Sequence, residues 1–331
     1  MTLRFALFGA GRIGAIHANN LARNPNAELR YVVDVNAAAA QKLASAYEAV
    51  AADAKTALGD ASVGAVLVAS STDTHADLCI AAAKAGKAIF CEKPIDLSLA
   101  RVDECIAVVK SAGVPMLVGF NRRFDPSFAA LKRRLDQGEI GSLEQVIISS
   151  RDPAPPPLAY VKVSGGLFRD MMIHDFDMAR WLLGEEPRTL FAAASAIIDA
   201  DIGHIGDVDS AMVVLHTGSG RLCHINNSRR AAYGYDQRIE VHGSKGRLMA
   251  SNLLPTTVEI ANADAVASDK PHHFFLERYA EAYANELDQF IAAVNERRSM
   301  PVSAEDGRRA LVLAEAAIQS VRSGQAVSVA L

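Results

Sequence analysis

Gly9-Ala10-Gly11-Arg12-Ile13-Gly14 decides the fold of the first third of the chain. It follows a short apolar run, Arg4–Phe8, and opens an alanine-bearing stretch, Gly11–Arg23, so a strand precedes the glycines and a helix follows them. By itself the Gly-x-Gly-x-x-Gly pattern is weak, but strand before and helix after is the context its mechanism demands. Gly9 permits the tight turn and Gly11 lets the backbone approach a pyrophosphate at the helix N-terminus. Gly14 allows close packing of helix on strand. The bland alternative is a tight strand-to-helix turn without a ligand. Asp34 argues against it, closing the next apolar run, Leu29–Asp34, 20 residues after Gly14, where a ribose-binding carboxylate belongs. A carboxylate there accepts hydrogen bonds from ribose hydroxyls and repels a 2′-phosphate. Val35 and Asn36 bring no cation to hold such a phosphate, so the expected cofactor is NAD rather than NADP.

Outward from this motif the same alternation continues. Strands are expected at Ala65–Ala69, Ala88–Cys91 and Met116–Gly119, with helices at Ala37–Ala46, Thr74–Ala85 and Ser98–Ala112. Ser98 suits the N-cap of the last helix and Gly113 its C-terminal stop. Buried strands alternating with crossover helices predict an α/β fold, a Rossmann doubly wound parallel sheet. After Phe120 the pattern changes. A basic amphipathic helix is expected near Pro126–Gln137, a strand through Ser142–Ser150, a rigid proline loop at Arg151–Pro157 and a helix at Arg169–Leu183. Strands Thr189–Ile198, Val208–His216, Arg221–Arg229, Gln237–His242 and Arg247–Ala250 then succeed one another, and helices Phe274–Glu296 and Ser303–Ser323 close the chain. Strand after strand at short spacing predicts an α+β domain with a largely antiparallel open sheet. The expected division is 1–120 for the NAD-binding domain and 121–331 for the second, α+β domain.

The whole chain has 331 residues, 50% hydrophobic and 22% charged, which suits two globular domains and excludes disorder. Its 34 basic and 38 acidic residues give a net charge of −4 with no block of like charge, so neither a nucleic-acid surface nor a membrane anchor is expected. No run approaches the length of a membrane span, and no targeting segment is read at the N-terminus. Four cysteines, at 79, 91, 105 and 223, lack zinc spacing and a disulfide pattern; they suit reduced, packed thiols in a cytoplasm. No metal is expected.

Glu92-Lys93-Pro94 follows the Ala88–Cys91 strand and so belongs at the carboxyl edge of the sheet, where open α/β folds bind ligands. A lysine beside a nicotinamide can hold a substrate oxygen and stabilise developing alkoxide. As a tripeptide it means little, because surface Glu-Lys pairs are common; its position raises it. The second candidate lies in Gly165–Leu182. Asp170 and His174 are four apart, so on a helix they share a face, and a carboxylate there orients the imidazole and raises its proton affinity. That arrangement suits a general base removing an alcohol proton as hydride leaves carbon. The same spacing also describes an ordinary helix pair.

With these residues in hand, the chain resembles the glucose-fructose oxidoreductase/inositol dehydrogenase/MocA family of NAD(P)-dependent oxidoreductases. The likeness runs collinearly through the glycine motif with His17, Asp34, Ser70-Ser71-Thr72-Asp73-Thr74-His75, Glu92-Lys93-Pro94, Gly119-Phe120-Asn121-Arg122-Arg123-Phe124-Asp125, and Asp170 to His174. The resemblance implies a Rossmann domain followed by a domain whose open sheet builds homo-oligomers, tetramers or dimers. It implies cofactor contacts from Gly9, Gly11, Arg12, Ile13, Gly14, Asp34, Ser70, Ser71, Thr72, His75, Glu92, Lys93 and Arg123. His174 would be the base, Asp170 its partner and Lys93 the holder of the reacting oxygen. A polyol substrate would also meet Arg123, Asp152, Tyr283 and one of Tyr233 and Tyr235. The implied reaction is NAD-dependent oxidation of a cyclitol secondary alcohol, myo-inositol to its 2-keto product. The alternatives are another cyclitol or pyranose and, in a different class, a catalytically silent NAD-binding regulator.

Overall fold

The computed structural model describes residues Thr2–Ala330. They form two compact units: one gathers the chain through Asn121 together with Ala282–Leu311, the other Arg122–Glu281 and the chain from Val312 on.

In the first unit β1 (Leu3–Phe8), α1 (Arg12–Arg23), β2 (Ala27–Val33), α2 (Ala37–Ala46), β3 (Val50–Ala51), α3 (Ala54–Gly59), β4 (Ala65–Val68), α4 (Thr72–Lys84), β5 (Ala88–Glu92), α5 (Leu99–Ala112) and β6 (Met116–Gly119) alternate. The strands are apolar on both faces because helices cover both; β4 and β5 are buried along their whole length. All six pair in parallel in the order β3-β2-β1-β4-β5-β6. Parallel pairing puts the carboxyl ends of β1, β2, β4 and β5 at one edge of the sheet, and the chain's direction of winding reverses between β1 and β4, which opens a crevice at that edge. Neither β3 nor α3 was expected. Ser98 stands at the N-cap of α5, but its side chain makes no capping bond. Gly113 does close that helix, at φ +64°.

The second unit holds α6 (Pro126–Asp136), β7 (Leu143–Arg151), α7 (Leu158–Ser164), a π-helical turn at Leu167–Met171, α8 (Ile173–Leu183), β8 (Pro187–Ser195), α9 (Ala200–His204), β9 (Ser210–Thr217), β10 (Leu222–Ser228), β11 (Asp236–Gly243) and β12 (Gly246–Ala250). A small hairpin, β13 (Glu259–Ala261) and β14 (Val266–Ser268), and α10 (Phe275–Arg278) follow. Next come α11 (Ala280–Asn295), α12 (Ala304–Ser323) and β15 (Val327–Ser328). Seven strands order as β12-β11-β7-β10-β9-β8-β15, antiparallel except for the parallel β7–β10 pair. An inner row, Ala192, Val213, Ile225, Ile148, Ile239 and Ala250, runs in register across the sheet and is buried. The adjacent outer row, Phe191, Val214, His224, Ile147, Glu240 and Met249, runs beside it. Its four apolar members are exposed by 39–55%.

Two differences from the expected elements matter. The helix expected over Phe274–Glu296 is interrupted at Tyr279, and Ala282–Leu311 belongs to the first unit. The reason is aromatic: Phe290 of α11 lies 6.0 Å from Phe5 of β1 and 5.6 Å from Phe90 of β5, ring to ring. A cut at 120/121 therefore separates α11 from the sheet it covers. The helix expected over Arg169–Leu183 is instead a π-turn running into α8. All four cysteines are free and buried, and among the described residues no helix is long and apolar enough to cross a membrane.

Candidate active site

The cofactor end is built on the edge of the parallel sheet. Gly9 takes φ +106°, and a Cβ there would lie 2.4 Å from the Ala69 carbonyl oxygen. A Cβ on Gly14 would lie 2.0 Å from the Gly9 oxygen, so α1 packs on its turn at a distance only glycine allows. Gly11, the N-cap of α1, is different: a Cβ there would meet nothing within 4 Å. Its smallness serves no packing inside the chain, as befits a backbone approached by an outside group. Arg12 and Ile13 open the first turn of α1, whose N–H groups have no intrahelical acceptor. One oxygen of Asp34 accepts the Ala10 N–H at 2.7 Å and the other the Asn36 N–H at 2.8 Å. Each keeps a lone pair for a ribose hydroxyl. The Asn36 side chain is spent capping α2, and Val35 points fully into solvent, so neither supplies a phosphate contact. These residues fit a dinucleotide carrying a free 2′-hydroxyl.

Further along the edge, Ser71 is the N-cap of α4 and Thr72 its first residue, while the Ser70 hydroxyl bonds that of Thr74 at 2.7 Å. His75 is buried, with Nδ1 2.8 Å from the Pro94 oxygen and Nε2 3.1 Å from the Ser70 oxygen. It ties the start of α4 to the turn that carries half-buried Lys93. Glu92, buried, meets Nε2 of His17 at 2.7 Å, and His17 lies edge-on to Phe90 and Tyr283. Tyr283 thus belongs to the first unit, packed 5.7 Å from the His17 ring.

The chemical end of the second unit is carried by the π-turn. Its Met172 N–H bonds back to Leu167 O at 2.9 Å, and α8 begins at Ile173. Asp170 lies inside the wide turn and His174 just after it, both half-buried. A π-turn holds more residues per turn than an α-helix, so positions four apart align more closely along it. The Tyr160 hydroxyl of α7 donates to Asp170 Oδ1 at 2.9 Å. Asp152, just beyond β7, is held by its N–H on Ser228 O at 2.9 Å. Burial pushes its carboxyl up to about 6; the Asp170 charge adds to this, while the guanidinium groups of Arg229 and Arg122 oppose it.

The other expected residues sit differently. Arg123 grips buried Asp177 with two nitrogens, at 2.8 and 2.5 Å, and lies over the Trp181 ring. Its guanidinium fork is engaged within the chain, where a ligand contact had been expected. Its neighbour Arg122 bonds buried Asp175 at 2.5 Å, and Asn227 donates to the other Asp175 oxygen at 2.9 Å. Burial raises the Asp175 carboxyl against those partners. The Tyr233 hydroxyl donates to Asp236 at 2.6 Å and accepts from Arg151 at 3.0 Å. Tyr235 is 6% exposed, edge-on to Phe274 and Tyr279, and among the described residues its hydroxyl bonds no other group. Burial drives that phenol well above its usual range, and the Asp152 charge contributes. Sequence reasoning passed over Tyr160, whose partner lies in another element ten residues on, and Arg122, Asp175 and Arg229, whose partners lie 22 to 53 residues away along the chain.

The family comparison is decisive. The profile of the oxidoreductase family with an NAD-binding Rossmann fold matches residues 3–120, and that of the GFO/IDH/MocA C-terminal domain matches 128–249. This chain belongs to the GFO/IDH/MocA oxidoreductases. An inositol 2-dehydrogenase of Rhizobium meliloti is 52% identical to it, all of both chains being covered. Among solved structures, a myo-inositol dehydrogenase from Corynebacterium glutamicum superposes with a TM-score of 0.96 at 43% identity, all of both chains being covered. The scyllo-inositol dehydrogenase of Lactobacillus casei, solved with NAD(H) and scyllo-inositol, has a TM-score of 0.92 at 28% identity over all of both chains. Like its family, the chain is an NAD-dependent oxidoreductase with an N-terminal Rossmann sheet and a C-terminal mixed, mostly antiparallel sheet.

Proposed function

We propose that this GFO/IDH/MocA oxidoreductase oxidises a secondary alcohol of a cyclitol with NAD, converting myo-inositol to 2-keto-myo-inositol. The observation that carries the reading is the polar cluster around the π-turn, where Asp170 and Asp152 offer carboxylates and Tyr235 a spare hydroxyl. Such a site binds a ring of hydroxyls through hydrogen bonds that a wrong epimer leaves unpaired. NAD, when bound, supplies the hydride acceptor. His174 takes the proton from the reacting hydroxyl, and Asp170 orients the imidazole and stabilises its charged form. Lys93 stabilises the negative charge that develops on the oxygen. Asp152 and Tyr235 bind neighbouring hydroxyls; of the two candidate tyrosines, Tyr235 is preferred because the Tyr233 hydroxyl is already engaged. The N-terminal unit holds the cofactor through Gly9–Gly14, Asp34, Ser70–Thr72, His75 and Glu92.

The same reading makes the chain a cytoplasmic enzyme that assembles as a homo-oligomer, a tetramer or dimer, through the outer face of the second sheet. Supporting this is the exposed apolar row of Phe191, Val214, Ile147 and Met249. The deciding experiment is NADH formation, followed by near-ultraviolet absorbance, with myo-inositol, scyllo-inositol, D-chiro-inositol and D-glucose against NAD and NADP. Turnover of myo-inositol with NAD is the expected result. Preference for scyllo-inositol would keep the chemistry and move the substrate, while NAD binding without turnover of any polyol would make the chain a silent regulator.

A further inference from the structure

The π-turn is held at both ends by bonds that do not involve the Asp170 side chain. Gly165 and Gly166, at φ +91° and +80°, swing the chain out of α7 and into the turn. A Cβ on Gly166 would lie 2.5 Å from Asp207 Oδ1, so that glycine leaves room for the carboxylate. Asp207 uses the same oxygen to accept the Leu167 N–H at 3.1 Å, which pins the start of the turn. Its other oxygen faces the buried guanidinium of Arg229, with Nη2 4.0 Å away. The Met172 N–H to Leu167 O bond closes the far end. This scaffold fixes the backbone, and the Asp170 side chain receives its own restraint from Tyr160. Tyr160 is 47% exposed, yet its hydroxyl turns toward a carboxylate ten residues on.

We propose that Tyr160 is a positioning residue for the oxidation, its hydroxyl anchoring Asp170 Oδ1 so that Asp170 in turn holds the His174 imidazole in one orientation. The inference rests on the assignment of His174 as base and Asp170 as its partner. An anchored carboxylate stays in one rotamer, and a base held within a narrow range of orientations spends more of its time in reach of the proton it must take. Partial burial and the Asp170 charge push the Tyr160 phenol above its usual range, so it remains a donor wherever the enzyme works. The Arg229 charge opposes that rise and the Asp152 charge adds to it.

The test is Tyr160→Phe, which removes the hydroxyl and keeps the ring, made both alone and in an Asp170→Ala background. Kcat and KM are measured by NADH formation for each, with single-turnover mixing where steady-state rates are low. Alone, Tyr160→Phe is expected to lower kcat about tenfold and leave the KM for NAD unchanged. In the Asp170→Ala background, which has no side-chain oxygen to accept the hydroxyl, the same replacement is expected to change kcat less than about twofold, because a residue acting through Asp170 has nothing left to act on. Unchanged kcat in the single variant, or an undiminished loss in the double variant, overturns the proposal. His174→Ala separates this from the assignment beneath it. Full activity there would sink the base itself, whereas a disabled His174→Ala beside a fully active Tyr160→Phe would sink only the role of Tyr160.

Discussion

Two carboxylates of this protein, Asp34 and Asp152, differ because their surroundings differ. Asp34 accepts two backbone N–H groups, and in the proposed site its charge faces the ribose, so Asp34→Ala should erode the preference for NAD over NADP while sparing the hydride step. His174→Ala should do the reverse, lowering kcat by roughly 10²–10⁴ with the Kd for NAD unchanged by fluorescence titration. Asp152 sits on the edge of ionisation, its carboxyl pushed up to about 6 by burial. A folded value above the unfolded one means the native state holds a proton more tightly than the unfolded chain. The resulting stability is complete below about pH 4 and is lost as pH rises through 6. Asp152→Asn should therefore melt higher than the parent at pH 8 and lose the part of the Tm change between pH 4 and 7 that Asp152 causes. Its KM for the polyol should nevertheless rise, since the amide cannot replace a charged acceptor.

Helices and strands show where sequence patterns carry information and where they stop. The glycine motif gives two substitutions with opposite signatures. Gly14→Ala forces a methyl against the Gly9 carbonyl and should cost about 1–3 kcal/mol of stability by overpacking. Gly11→Ala meets open space, so its Tm should hold while NAD binding weakens about tenfold or more. Both positions were legible because glycine spacing and the strand-helix context are local. The strands of the first unit were legible too, since buried parallel strands read as unbroken apolar runs. Two-residue β3 and six-residue α3 were not, being too short to show a period. The helix α7 hides behind Pro155-Pro156-Pro157, and a π-turn differs from an α-helix in one hydrogen bond that no residue type announces. Asp170 and His174 stood out by spacing. Tyr160 did not, because its bond to Asp170 joins two elements that folding brings together, and nothing local to either marks the pair.

At the scale of the molecule the outer face of the second sheet invites a direct challenge. The register sets Val214 at the middle of an exposed row between His224 and Phe191. Val214→Glu, at a position whose side chain already faces solvent in the lone protomer, should leave the fold intact and shift the mass by light scattering from that of the proposed oligomer to that of a protomer. Unaltered mass would move the interface elsewhere. The first unit raises a matter of timing. All six of its strands are complete by Gly119, yet Phe290, the ring that lies against Phe5 and Phe90, comes 171 residues later. A ribosome making the chain at about 5–20 residues per second delivers the sheet at least several seconds before the helix that covers it. In that interval the nascent sheet bares aromatic surface, which is the feature chaperones bind.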